Sequence, residues 1–173
     1  MGLFSSIARK GASVILIQNL RPQADEALRK IDSARLYRKA ASSATVTGYL
    51  FGIMTEMTGL NKGKSQHHLQ IMYDRVLSGV FGIEIAKEVF AAMDCYCGHL
   101  NGEIYGRPES SVDQNTERIN AQLFYAAMED GRFDANELFY NSKDVSGLSW
   151  RISSAAKELS TYAVGRFTVT KAP

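Results

Sequence analysis

The residues best suited to chemistry fall in two short stretches. The first is Asp130-Gly131-Arg132-Phe133-Asp134-Ala135-Asn136-Glu137. Its carboxylates Asp130, Asp134 and Glu137, set around a glycine, match the second half of a calcium-binding EF-hand loop. In that loop the glycine makes a sharp turn and the last glutamate grips the ion with both oxygens. The first half does not follow. With Glu137 as the last ligand, the first and third positions are Ala126 and Met128, which carry no side-chain oxygen. The same residues also have a reading without metal. Asp134 caps a new helix, Glu137 three positions on closes a capping box, and Gly131 allows the turn before it.

The second stretch is Glu84, Glu88, Cys95 and His99. These lie within about 60° of one another on a helical wheel, and each type binds transition metals. Cys95 and His99 alone would make half of a zinc site. His67, His68 and Asp74 join them only if the chain folds back. Cys97 points away from Cys95 on a helix, so Cys95-Tyr96-Cys97 is not a chelating knuckle there. The alternation of Glu84 and Glu88 with Ile83 and Ile85 equally fits the half-exposed edge of a helix. Hydrolase and phosphate-loop signatures are absent, and two cysteines make no disulfide framework.

The elements that must position these residues read as helices. The 173 residues suffice for one domain, and 45% hydrophobic with 22% charged residues is ordinary for a globular chain. Leu3, Phe4, Ile7, Val14, Ile15 and Ile17 belong to a first helix, which Arg21-Pro22 is expected to end, since proline suits a first helical turn. Ala24, Ala27, Leu28, Ile31 and Ala34 continue at helical spacing. Val46, Tyr49, Leu50, Ile53, Met54 and Met57 form another stripe, with Gly48 and Gly52 four apart on one face, where another helix could approach closely.

A stop at Gly59 to Lys64 and a cap at Ser65 precede a long helical pattern running to Gly98, kinked or split at Ser78 to Gly82. Val112, Thr116, Ile119, Leu123 and Ala127 make the next face, which Asp130-Gly131 interrupts. Ser149 caps a last helix with Ile152, Ala155, Ala156 and Leu159, and Phe167-Thr168-Val169-Thr170 is strand-like but alone. The expected fold is all-α: a compact bundle of six or seven helices around one core, with a long central helix if residues 65–98 stay whole, and little or no sheet. Residues 1–20 are expected as an amphipathic amino-terminal helix and 21–173 as a single helical domain.

Charge is uneven. Residues 1–40 hold eight basic against three acidic side chains, a net of +5 in a chain whose total is +2. Phe4 and Ile7 with Arg9 and Lys10, and farther on Arg35, Arg38 and Lys39, could contact an anionic membrane surface or an acidic protein. Met1-Gly2-Leu3-Phe4-Ser5-Ser6 fits the pattern for acylation of Gly2. The longest uncharged stretch, Ala40 to Thr55, is too short and too rich in serine and threonine to cross a bilayer. No cleavable signal peptide is visible, so a cytoplasmic protein, peripheral at most, is expected.

Ala126-Ala127-Met128-Glu129-Asp130-Gly131-Arg132-Phe133-Asp134-Ala135-Asn136-Glu137-Leu138 resembles the helix–Asp-Gly–helix segment of TerB-like domains, the tellurite-resistance-associated family. The resemblance implies an all-helical cytoplasmic domain of a stress response that binds metal or partner proteins at membrane-associated complexes. A second acidic segment, usual in that family nearer the start, is not found here. Two function classes follow. The first is a non-enzymatic helical interaction module that associates with a partner protein or with itself, in a stress-response or effector role, needing no cofactor, nucleic acid or small-molecule substrate. The second is a sensor or enzyme using a divalent metal at the Glu84–His99 stripe or the Asp130–Glu137 loop.

Overall fold

A computed structural model describes residues 2–58, 66–100 and 114–165, with side chains at 11–57, 71–98 and 115–161. It is an all-α bundle. Seven helices occur among the described residues: α1 (Gly2–Lys30), α2 (Ala34–Ala41), α3 (Ala44–Thr58), α4 (Gln66–Phe81), α5 (Ile83–Leu100), α6 (Gln114–Tyr140) and α7 (Gly147–Gly165). Strand and turn expectations at 59–65, 101–113 and 166–173 lie outside the described residues.

The uncharged stretch finds its explanation at the centre. Val46, Thr47, Tyr49, Leu50, Ile53, Met54 and Thr55 are all buried, so α3 is covered on nearly every side, as a helix apolar all round must be. The buried hydroxyls of Thr47 and Thr55 are satisfied within the helix, donating to the carbonyls of Ser43 and Phe51, both at 2.8 Å. Helices α1, α2, α5, α6 and α7 pack around α3, while α4 packs on α1 and α5. The central helix is therefore this one of 15 residues, not the pattern over 65–98. That pattern divides at Gly82, whose φ of +80° turns the chain between α4 and α5.

Two expected helix ends are absent. Helix α1 runs straight through Arg21-Pro22. It buries Leu16, Leu20, Ala24 and Ala27 at spacings of four, four and three, and this continuous apolar stripe holds the helix together across the proline. Pro22 sits on the exposed side, and the carbonyl that loses its N–H partner belongs to exposed Gln18, where water can replace the bond. Helix α6 likewise runs through Asp130-Gly131 without a break. Gly131 is not a turn but a contact: a Cβ there would lie 2.2 Å from the Tyr49 carbonyl oxygen on α3. Gly48 and Gly52 reciprocate, with room for no Cβ against the carbonyls of Phe124 and Met128 (2.3 and 2.0 Å). The expected close approach at Gly48 and Gly52 is thus met by α6, and the two backbones touch directly.

Candidate functional site

Continuity of α6 redefines the Asp130–Glu137 stretch. Neither an EF-hand half-loop nor a capping box exists there, because all eight residues are helical. Asp130, Asp134 and Glu137 instead share one face at spacings of four and three, turned toward the start of α7. Each carboxylate has a protein partner. Arg151 of α7 donates to Asp130 Oδ2 at 2.6 Å and to the Gly147 carbonyl at 3.1 Å. Its guanidinium lies 4.3 Å from the Tyr49 ring centre and 5.3 Å from that of Trp150, within cation–π range. Tyr49 donates its hydroxyl to Asp134 Oδ2 at 2.9 Å. Burial, with the Asp134 charge beside it, pushes the Tyr49 phenol well above its ordinary value. Glu137 pairs with Lys143 and accepts from Asn141 at 2.8 Å. The Lys143 bond holds the Glu137 carboxyl below its usual value.

The start of α7 is fixed from another helix. Ser149 was the expected cap, but α7 begins at Gly147 and its first N–H groups bond to a side chain of α1. Buried Gln23 accepts from Leu148 N–H at 3.0 Å and Ser149 N–H at 3.4 Å, and donates to the Val145 carbonyl at 2.6 Å. The Ser149 hydroxyl turns to Glu26 at 3.3 Å. Gly147 has no room for a Cβ, with Arg151, Asp134 and Tyr49 all within 3 Å of that point. Between the end of α6 and the start of α7 lies an open cleft of about 390 Å³, lined by Asp134, Glu137, Lys143, Asp144, Gly147 and Trp150 among others.

Tyr49, Gln23, Arg151 and Trp150 were not among the sequence candidates. Arg151 carried a signal nonetheless. It shares the buried register of Leu148, Ile152 and Ala155, and a charge in a core stripe demands a partner.

The outer side of α6 adjoins this face and shares Asp130 and Glu137 with it. Ile119, Leu123, Ala126, Asp130, Phe133, Glu137 and Tyr140 recur at alternating spacings of four and three, the seam of a coiled coil. Its large apolar members stay uncovered: Ile119 is 51% exposed, Leu123 44%, Phe133 65% and Tyr140 81%, and Trp150 next to the cleft is 66% exposed.

The second sequence candidate lies along α5. Glu84 pairs with Lys87 at 3.4 Å on its own helix, and Glu88 pairs with Arg38 of α2 at 3.2 Å. Cys95 is exposed, while Cys97 is half-buried against the core and its thiol is pushed up to about 12 by burial. His99 lies on α5, and His67 and His68 on α4, with side chains outside the described residues. Among the described residues no three of His, Cys, Asp or Glu gather as a metal ion would require. Of the basic residues, Arg35, Arg38 and Lys39 are exposed on α2, which turns Tyr37, Ala40 and Ala41 inward. Phe4, Ile7, Arg9 and Lys10 lie on α1 with side chains outside the described residues. No described helix is long and apolar enough to cross a membrane. Comparison with protein-family models, with characterised proteins and with solved structures gives no match to this chain.

Proposed function

We propose that this chain is a non-enzymatic helical interaction module, peripheral to a membrane, that docks a partner protein on the outer row of α6. One observation carries the reading: Ile119, Leu123, Phe133 and Tyr140 lie exposed at coiled-coil spacing along α6, and among the described residues no helix covers them. A row of uncovered apolar side chains is the kind of surface that association buries. The carboxylates that suggested metal chemistry support the same reading, because Arg151, Tyr49 and Lys143 already engage them. The resemblance of Ala126–Leu138 to TerB-like domains points the same way, toward a stress-response role among partner proteins. The exposed cations of α2 and the net +5 of residues 1–40 supply a second contact, for an anionic bilayer.

The test is proximity labelling in the source cells with the native chain and with Leu123→Glu/Phe133→Glu, alongside co-sedimentation with anionic and neutral vesicles. Partners lost in the variant, with its melting temperature kept, support the reading. An unchanged set of partners overturns it. So does a stoichiometric metal in the natively purified protein that is lost in Asp134→Ala or His99→Ala, which would replace it with the metal-sensor alternative.

A further inference from the structure

The row on α6 is specific enough to describe its occupant. It spans about 30 Å, from Ile119 to Tyr140, at 1.5 Å per residue. A 4-3 row of that length accepts a helix of about three heptads. Its lower half is acidic. Residues 129–151 hold Glu129, Asp130, Asp134, Glu137 and Asp144 against Arg132, Lys143 and Arg151, a net of −2. The three cations are committed to Glu129, Glu137 and Asp130. Among the described residues Asp134 accepts from the neutral Tyr49 hydroxyl, and Asp144 is exposed on the cleft. Trp150 walls the same cleft and offers an aromatic face to a cation.

A second copy packed parallel fits this face poorly: it sets Asp130 against Asp130 and Glu137 against Glu137, two layers of like charge. The basic helices of the chain are no better as occupants. Helix α2 has eight residues, and α1 is seated on its own core through Leu16, Leu20, Ala24 and Ala27.

We infer that the outer row of α6, with the acidic cleft at its end, is the seat of a basic amphipathic helix from a partner protein. Its apolar residues interlock with Ile119, Leu123, Ala126 and Phe133. Its flanking lysines or arginines face Asp134 and Asp144, and one enters the cleft beside Trp150. This rests on the docking reading above and adds the partner's charge.

The experiment uses the full chain and two synthetic helical peptides of about four heptads, both with leucine at a and d, one with lysine and one with glutamate at e and g. Binding is read by fluorescence anisotropy at low salt. The lysine peptide is expected to bind at least about tenfold more tightly than the glutamate peptide. The preference is expected to reverse in Glu129→Lys/Asp144→Lys, which takes the net charge of 129–151 from −2 to +2. Phe133→Glu, on an exposed site, is expected to weaken the lysine peptide about tenfold with the melting curve unchanged. Equal binding of both peptides, lost in Phe133→Glu, overturns the charge inference and leaves the docking reading standing. No binding, or binding indifferent to Phe133→Glu, overturns both. A dimer in sedimentation that Phe133→Glu dissociates assigns the row to a second copy and overturns the inference.

Discussion

The two sides of α6 solve opposite problems. Toward α3 the contact is backbone on backbone: Gly48, Gly52 and Gly131 remove side chains so that carbonyls lie where Cβ atoms would be. Toward α7 it is made of charged and polar side chains, Arg151 between Asp130 and the Tyr49 ring, while Gln23 of α1 holds the first turn of α7. The first contact depends on shape and ignores pH and salt. The second depends on protons and hydrogen-bond partners. Tyr49 belongs to both, its carbonyl against Gly131 and its hydroxyl on Asp134.

The sharpest way to break the contrast is to add volume on the glycine side. Gly52→Leu places a side chain on the Met128 carbonyl and should cost about 3 kcal/mol or more, read by urea unfolding. Gly11→Ala is the counterpart, since nothing lies within 4 Å of its Cβ position. It should gain up to about 1 kcal/mol from helix propensity. If both glycines tolerate alanine and leucine alike, the close approach does not hold the pair together.

On the polar side, Gln23→Leu should cost about 1–3 kcal/mol, because it leaves the Leu148 and Ser149 N–H groups and the Val145 carbonyl buried without a bond. Denaturant midpoints would show it. Arg151→Lys should recover little of what Arg151→Ala loses, since an ammonium cannot both stack on Tyr49 and fork between Asp130 and Gly147.

Alkaline pH separates the two sides next. Burial raises the phenols of Tyr49 and Tyr73 and pushes Tyr37 up to about 12. A folded-state value above the unfolded one gives stability that is complete below the unfolded value, near pH 10, and is lost as pH rises through the folded one. Circular dichroism should therefore show stability falling above about pH 10, and falling less in Tyr49→Phe, which keeps the glycine contact and lacks the ionising group. The smallest effect is at Ser142, whose φ of +52° ends α6 in a conformation that favours glycine. Ser142→Gly should raise the unfolding free energy by up to about 1 kcal/mol, by the same urea titration.

How much of this was written in the chain differs between the two sides as well. The glycine side was legible in half. Gly48 and Gly52 at a spacing of four, in a stretch with no charge, announced a helix that another could approach. Gly131 did not, because a glycine after an aspartate in a polar run has the same local signature whether it turns the chain or admits a neighbour. Only the position of α3 decides. Pro22 misled for the same reason: the local rule ends a helix there, and the buried stripe on the opposite side overrides it. The polar side was visible as residue types and invisible as pairs. Asp130, Asp134 and Glu137 stood out, but the partners of Asp134 and Asp130 come from α3 and α7, at sequence distances of 85 and 21 that no local pattern spans, while Glu137 finds its own in the loop just after α6.

The missing Cβ atoms along α3 and α6 have a mechanical consequence. Most helix pairs meet through a layer of side chains that can change rotamer and let one helix slide over the other. Here two rigid peptide planes bear on each other at Gly48, Gly52 and Gly131, with no such cushion between them. A push on α6 between Phe124 and Gly131 meets no rotamer that can yield at that surface. It displaces α3 with it, and through Tyr49 and Arg151 it tilts the head of α7. The outermost helix face and the innermost helix thus move as one beam.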